Sequence, residues 1–342
     1  MISATPVPSS PAAEYRVRRM SSRDAPGVVA CIRQIYGDSY VHPELYDPDE
    51  IIRCNESLAL ISVVALDAAG QVVGHYALER PGLQSVAEAG VAMVLPEHRH
   101  HQLMERMREL LEQEATRLQL VGLFGHAVTN HTFTQRVDER FHEEPCAVSL
   151  GWSPRTFHNM AEPLPQRMSE LLYFKYLKKP GEVTAYLPSH HFEWCNRIYA
   201  ELDLIAVPGR QTSSTTKSQI GLNVRQDLAR AVVQWKTVGE DSSDILAKRT
   251  EDLTRQGIEV VFLELPLAQA GTPALCLAAE KRGYFFSGIG PSFADDGDVL
   301  RLQKLTIPLD PSLILVESQH ARELLAYVVA ERDRLRNSGF PA

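Results

Sequence analysis

The chain has 342 residues, 44% hydrophobic and 23% charged, a composition typical of globular proteins rather than disordered ones. Lys and Arg total 35 against 43 Asp and Glu, and the net charge of -8 argues against nucleic acid as the main partner. Five scattered cysteines without a C-x-x-C pair indicate neither a disulfide framework nor a zinc site, so we expect a reducing, cytoplasmic location. No apolar run approaches the roughly 18 residues that cross a bilayer, which predicts a soluble protein without a membrane partner.

The chain is long enough for two domains of about 150 residues each. Residues 1–13, rich in Pro, Ser and Ala, predict a disordered tail. An alternating strand at residues 15–20 and a helix that ends at Gly37 follow, and Pro43 and Pro48 predict a loop. The further elements predicted in the first half are a hairpin of strands 58–66 and 72–78, a strand ending at Leu95, a helix from Leu103, strand 121–128, helix 133–141 and strand 147–150.

The segment at residues 86–120 predicts a buried strand, a basic turn and an amphipathic helix. Residues 91–95 are continuously apolar and stop at Pro96, and apolar residues recur at helical spacing from Leu103. The intervening turn, E-H-R-H-H-Q, places Arg99 and three histidines beside the unpaired N–H groups at a helix start. This arrangement suits a phosphate or pyrophosphate.

Strand, turn and helix resemble motif A of the GNAT acyltransferase superfamily, where the turn reads Arg/Gln-x-x-Gly-x-Gly/Ala and its amides hold the pyrophosphate of coenzyme A. The run V-x-P-E-x-R at residues 94–99 matches the approach to that turn. This resemblance implies contacts to acyl-CoA from Ala92, Met93, Val94, Arg99, His100, His101, Gln102, Leu103 and Met104. The chain departs from the motif because His100, Gln102 and Met104 stand where the family has glycines, which makes close approach of a diphosphate sterically harder.

A second segment, N-H-T-F-T-Q-R at residues 130–136 with Phe141, resembles motif B of the same superfamily. There an Asn opens a helix along the pantetheine arm of coenzyme A, which implies a cofactor contact for Asn130. The order of predicted elements is also the GNAT order, so the resemblance covers about residues 14–180. The tyrosine that many members use as general acid would fall near Val137, so that role is unfilled from this helix.

The second half partly repeats the pattern after a predicted linker at residues 152–168. The elements predicted there are strands 171–177 and 182–187, helix 190–202, a polar loop at 209–217, strand 228–235, helix 244–255 and strand 258–265, with a motif B pattern at 274–285. Its turn at residues 240–243 is acidic, which would repel a diphosphate. The fold class implied is α/β (α+β), with two tandem GNAT-like domains at residues 14–180 and 181–342, each a mixed sheet flanked by helices. Y-G-x-S-Y at residues 36–40 and G-Y-F-F-x-G-I-x-P at 283–291, followed by L-x-L-Q, also resemble bacterial tandem GNAT proteins.

Acyl transfer to an amine requires a group that accepts the ammonium proton. Glu88, six residues before Val94 in A-E-x-x-x-x-x-V, matches the glutamate of histone-acetylating GNATs; the alternative is a strand-end carboxylate in solvent. His126 and His131, near the end of the neighbouring strand, could share this task or could be structural. The three turn histidines, His98, His100 and His101, lack a carboxylate or cysteine at ligand spacing, so no metal is expected.

The resemblance therefore implies an acyl-CoA-dependent N-acyltransferase in which acetyl-CoA or another acyl-CoA is the co-substrate. The acceptor is expected to be an amine of a small molecule, and the protein a monomer or homodimer. The lost glycines and the missing tyrosine favour an alternative, a catalytically silent binding or regulatory protein with the same architecture. For the segment at residues 86–120, a further alternative is an ordinary strand-turn-helix unit that binds no ligand. Coenzyme A bound between the two central strands would exclude that alternative.

Overall fold

The computed structural model describes residues 15–38, 40, 42–80, 85–155, 164–209 and 217–338. The predicted tail at residues 1–13 lies outside the described residues, as do parts of the predicted linker and of the loop at 209–217. The chain packs as two compact units: unit 1 comprises Met1–Leu83 and Ala89–Ala115, and unit 2 comprises Gln84–Glu88 and Thr116–Ala342. These bounds differ from the domains predicted at 14–180 and 181–342, and the tandem arrangement stays a prediction.

Unit 1 is a small sheet with helices packed on it. Its elements in chain order are β1 Arg16–Arg19, α1 Ala25–Tyr36, α2 Pro48–Glu56, β2 Leu60–Leu66, β3 Val72–Glu79, β4 Val86–Val94, whose first three residues belong to unit 2, and α3 Leu103–Arg117, whose last two residues belong to unit 2. The strand order is β1-β2-β3-β4, and β2 runs antiparallel to both β1 and β3. Helix α1 packs on β3 and α2 on β2. The predicted hairpin and the strand-turn-helix segment are confirmed.

Helix α2 corrects the loop that the two prolines predicted. Pro48 is the first residue of α2, where its missing N–H costs nothing and its fixed φ suits the helix. The side chain of Asp47 caps this helix by accepting a hydrogen bond of 2.9 Å from the backbone N–H of Asp49.

Unit 2 contains the larger sheet. Its elements are β5 Gly122–Val128, α4 Phe133–Arg140, β6 Glu144–Ser153, β7 Met168–Tyr176, β8 Glu182–Thr184, α5 Phe192–Glu201, β9 Ile205–Val207, β10 Gln219–Arg225, β11 Arg230–Thr237, α6 Ser242–Arg255, β12 Val260–Pro266, α7 Thr272–Glu280, β13 Phe285–Ala294, β14 Gly297–Leu305 and α8 Gln319–Asn337. The strand order is β5-β7-β6-β13-β14-β12-β11-β10, and Val86–Glu88 pairs in parallel with the start of β5. The α/β fold class is confirmed.

Strand β6 lies between β7 and β13 and so connects the earlier and later strands of unit 2. It ends at Ser153, so the linker predicted to begin at residue 152 begins after Ser153 instead. The side-chain amide of Gln303 donates to the carbonyl of Leu150, and its oxygen accepts from the N–H of Leu150 at 3.0 Å. Gly288, with φ +140°, lets β13 approach β6 closely, because a Cβ there would lie 2.3 Å from the carbonyl oxygen of Cys146. The core of unit 2 therefore runs through both halves of the sequence.

Among the described residues, no helix combines the length and the hydropathy that a membrane span requires.

Candidate functional site

Strand β4 carries a backbone irregularity within unit 1. Val91 has φ +53°, a left-handed conformation that is rare for a β-branched residue and often marks a functional site. Its carbonyl oxygen lies 3.0 Å from Nδ1 of the fully buried His75, whose Nε2 lies 2.9 Å from Oγ of Ser62. Burial lowers the pKa of His75 to about 4, so the ring is neutral, donates to Val91 from Nδ1 and accepts from Ser62 at Nε2.

The residues after this irregularity are those predicted to contact acyl-CoA. Met93 and Val94 are buried, and Ala92 is partly exposed. The carbonyl of Met93 would lie 3.1 Å from a Cβ at position 74, so Gly74 permits β3 to approach β4 closely. The backbone of β4 at Met93 therefore packs directly against β3.

The turn from Arg99 to Leu103 has the left-handed geometry that glycine usually provides. His100 has φ +67° and Gln102 has φ +53°, and both side chains are exposed. The left-handed conformation costs a non-glycine residue roughly 1–2 kcal/mol, so other contacts of the fold must stabilise this turn. Nε of the exposed Arg99 donates to the carbonyl of Val94 at 3.2 Å, and Leu103 begins α3 as a buried residue.

Tyr15, the residue before β1, contacts the turn and α3. The hydroxyl of Tyr15 lies 3.0 Å from Nδ1 of His98, and its ring lies 4.9 Å from the ring of His101. Arg106 on α3 donates to the carbonyl of Tyr15 at 2.9 Å. Within the described residues, the side-chain groups spaced to hold a metal ion do not include the turn histidines.

Glu88 and His126, two of the predicted catalytic residues, form a hydrogen-bonded pair in unit 2. Nδ1 of His126 lies 2.8 Å from Oε1 of Glu88, because the parallel pairing of Glu88 with Phe124 brings the two strands side by side. Side-chain exposure is 33% for Glu88 and 14% for His126. Nε2 of His126 is buried and has no hydrogen-bond partner among the described residues, so only one of the two imidazole nitrogens is held by a hydrogen bond there.

The indole of Trp152 is the centre of the neighbouring cluster. The His126 ring stacks on it with centroids 5.3 Å apart and planes 16° apart. The guanidinium carbon of Arg230 lies 3.6 Å from its centroid, and that of Arg301 lies 5.7 Å away. Phe262 packs against it at 4.9 Å. One aromatic side chain thus links a candidate proton acceptor to two guanidinium groups.

Strand register brings the charged members of this cluster together. Arg301 on β14 is the register partner of Glu264 on β12, and Gln234 on β11 is the partner of Glu264 on its other side. Register partners project from the same face of a sheet. Nε of Arg301 lies 3.5 Å from Oε1 of Glu264, and Gln234 donates to Oε2 of Glu264 at 3.3 Å.

Burial shifts the pKa values of these groups toward their neutral forms. Burial raises the pKa of Glu170 to about 7, although His126 and Arg230 oppose the shift. It also raises the pKa of Glu264 and lowers that of Arg301, while it lowers the pKa of Arg230 to about 10. Such shifts are common where carboxylates and cations serve function.

His131, the third predicted catalytic residue, does not join this pair. Among the described residues, none of its contacts is with Glu88 or His126. Its ring lies 5.4 Å from the exposed Phe133, and burial lowers its pKa. Asn130, the predicted motif B residue, lines a separate recess of about 160 Å³ with residues 164–169, Leu313 and Ile314.

A second ionic group lies around α7 and α8. The buried His191 bonds Glu280 at 2.8 Å through Nε2 and Tyr327 at 2.7 Å through Nδ1. His190 bonds Glu331, and Cys276 lies close enough for this set to be considered as metal ligands. Arg334 pairs with both carboxylates, at 3.4 Å from Glu280 and 2.7 Å from Glu331, so we interpret the group as a salt-bridge network.

The residues around Trp152 were not among the predicted site residues, although the sequence contains a signal for them. The missed residues are Trp152, Glu170, Arg230, Glu264 and Arg301. Three of them are single charges within apolar strand sequences, S-E-L-L at 169–172, F-L-E-L at 262–265 and L-R-L at 300–302. A charge on the buried face of a strand is unfavourable unless it is paired or functional.

No protein-family model matches the chain, and the search of curated proteins found no match. Several solved structures are similar to about half of it. A GNAT-family acetyltransferase from Staphylococcus aureus Mu50 matches 48% of this chain and 100% of its own at 12% identity, TM-score 0.38. A GCN5-related N-acetyltransferase from Kribbella flavida matches 48% and 98% at 21% identity, TM-score 0.37. An N-acetyltransferase from Thermoplasma acidophilum, in complex with coenzyme A, matches 48% and 99% at 12% identity, TM-score 0.34.

Proposed function

We propose that this chain is an acyl-CoA-dependent N-acyltransferase that acts on the amine of a small molecule. The observation that carries the proposal is the Glu88–His126 pair, with Nδ1 of the imidazole bonded to the carboxylate and Nε2 without a partner among the described residues. A carboxylate at Nδ1 fixes the tautomer and leaves the basic lone pair on Nε2, as in other enzymes that use histidine as a base.

The proposed chemistry needs one proton acceptor. Nε2 of His126 takes the proton from the substrate ammonium group, and Glu88 stabilises the imidazolium that forms. The free amine then attacks the thioester carbonyl carbon, a C–N bond forms and the C–S bond breaks. The nitrogen loses its second proton to the departing coenzyme A thiolate, which leaves as the thiol, and the His126 imidazolium returns its proton to solvent. In the fold that the sequence resembles, a backbone N–H of the motif A strand stabilises the oxyanion, which assigns that role here to residues 92–94.

For the acyl-CoA, the proposal assigns the diphosphate to the turn from Arg99 to Met104. The left-handed φ values at His100 and Gln102 support this, because the turn keeps the conformation for which the resembled motif uses glycine. The corresponding turn before α6 carries Glu240 and Asp241, and Oδ1 of Asp241 already accepts from the N–H of Ser218 at 2.7 Å. We assign no acyl-CoA to that turn, so one acyl-CoA should bind per chain.

The proposal is tested on the full-length protein with acetyl-CoA and a panel of small amines. Isothermal titration calorimetry measures acetyl-CoA binding, and mass spectrometry detects acetylated amines, with an incubation without amine as the background. Binding together with amine-dependent product supports the proposal. Binding without product for any amine would favour the silent protein. If neither acetyl-CoA nor coenzyme A, the part common to every acyl-CoA, binds, the acyltransferase is refuted and the silent protein is favoured.

A further inference from the structure

The clearest unexplained feature of unit 2 is the guanidinium of Arg301. Its side chain is 2% exposed, yet neither Nε nor Nη1 has a hydrogen-bond partner among the described residues. The contact to Glu264, 3.5 Å from Nε to Oε1, is an ion pair without hydrogen-bond geometry. A buried donor without an acceptor is unfavourable, so such a group calls for an explanation, and a bound ligand or an ordered water would supply one.

The surroundings of Arg301 become more exposed in the direction of the proton acceptor. Trp152 packs against both the Arg301 guanidinium and the His126 ring, and His126 in turn bonds the more exposed Glu88. Side-chain exposure falls from 33% at Glu88 to 14% at His126 and 2% at Arg301. The cluster thus has a carboxylate and an imidazole at its accessible end and a guanidinium at its closed end.

A ligand with two opposite charges would complement this arrangement. An ammonium group suits the end formed by Glu88 and His126. A carboxylate suits Arg301, because a guanidinium presents parallel N–H donors that match two carboxylate oxygens. Glu264 competes weakly for this role, since burial raises its pKa and its oxygen does not complete a hydrogen bond to Arg301.

We propose that the cluster around Trp152 binds an amine that also carries a carboxylate, such as an amino acid, with the carboxylate on Arg301 and the amine toward His126. That the ligand is the acyl acceptor rests on the function proposed above, whereas its carboxylate requirement rests on Arg301 alone. Arg301 then determines specificity without taking part in proton transfer.

The test compares amino acids with their decarboxylated amines in equilibrium binding to the full-length protein without acyl-CoA. Suitable pairs are L-phenylalanine with phenethylamine, L-tryptophan with tryptamine, L-leucine with isoamylamine and L-lysine with cadaverine. At least one amino acid should bind about 10- to 100-fold more tightly than its amine, the range expected of hydrogen bonds to charged groups. Equal binding within every pair would overturn the proposal.

Variants then test whether Arg301 is responsible for the preference for a ligand with a carboxylate. Arg301→Met removes the counter-charge of the buried Glu264, so the double variant Arg301→Met/Glu264→Gln is made beside it, and thermal melting shows which of them folds. A folded variant should lose the preference for the carboxylate, and Arg301→Lys should weaken it because the fork geometry is lost. Arg255→Gln, an exposed α6 residue, is the matched control. A folded variant at position 301 that keeps the full preference refutes the assignment.

The outcomes for the two proposals are separable. A carboxylate preference that depends on Arg301 without acetyl transfer to any amine would reject the acyltransferase and keep the binding site. Acetyl transfer with no carboxylate preference would keep the acyltransferase and reject the site.

Discussion

Nδ1 of His126 and Oε1 of Glu88 are hydrogen-bonded at 2.8 Å, so two residues that the sequence suggested as separate catalytic candidates form one hydrogen-bonded pair. This contact assigns them different tasks. The carboxylate orients the imidazole, and the proposed proton acceptor is Nε2, a buried atom that has no hydrogen-bond partner among the described residues.

Glu88→Gln should lower kcat by about 10²- to 10⁴-fold with little change in acyl-CoA affinity, because the imidazolium loses its counter-charge. His126→Gln should have a similar effect, and the double variant should cost little more than the worse single variant. Steady-state kinetics and calorimetry measure both quantities, with Glu193→Gln on the exposed face of α5 as the control. Strictly additive losses would show that the two residues do not act as a pair.

Arg99→Glu should weaken acetyl-CoA binding, because it reverses the charge of the turn assigned to the diphosphate. Titration calorimetry should give one site per chain for the wild type and a weaker site for the variant. Arg23→Glu, an exposed residue of unit 1, makes the same charge change away from the turn and should bind normally. Unchanged affinity in Arg99→Glu, or two sites in the wild type, would reject the placement.

Gln102→Gly should stabilise the protein by about 0.5–1 kcal/mol, because glycine relieves the left-handed strain but adds freedom to the unfolded chain. It should also tighten acetyl-CoA binding by letting the diphosphate approach the backbone. Gln102→Ala removes the same side chain but keeps Cβ, so it should do neither. Thermal melting and calorimetry compare the three proteins, and equal gains from Gly and Ala would mean that the backbone conformation is not the cause.

Glu170→Gln should make the protein more stable above neutral pH. The pKa of Glu170 is raised from 4.5 to about 7, chiefly by burial, so the stability that its neutral form contributes is present below pH 4.5 and is lost as pH rises through about 7. The difference amounts to about 3 kcal/mol. Urea unfolding at about pH 5 and about pH 8 should show this loss in the wild type and in Glu193→Gln, but not in Glu170→Gln. An equal loss in all three proteins would contradict the assignment.

A chain that ends at residue 179 should aggregate. It would expose β6, whose Leu150 bonds both polar ends of the Gln303 side chain and whose Val148 carbonyl accepts from Oγ of Ser287 at 2.7 Å. An unpaired, apolar strand edge promotes association. Solubility and size-exclusion chromatography measure the outcome, with a chain that lacks only residues 1–13 as the control. A soluble, fully active truncation would show that the first half is an independent catalytic domain.

Local patterns accounted for much of unit 1. The hairpin of β2 and β3 follows from two apolar runs around Gly70, and the β4-turn-α3 segment follows from a change of hydrophobic period at Arg99. Helix α2 was missed although Asp47 and Pro48 carry a common signal for a helix start. The left-handed turn at Gln102 had no local signal, because neither it nor His100 is a glycine.

The amino-acid sequence by itself determined the elements of short range: the alternation of strands, the helical faces, the basic turn, and Glu88 as a residue at a recognisable spacing. Only the tertiary structure decided that Glu88 meets His126 and that Trp152, Arg230 and Arg301 gather beside them. The reason is physical. Hydrophobic periodicity reports which face of a strand is buried, whereas the neighbours on that face depend on strand order and register, which arise from contacts distant in the chain.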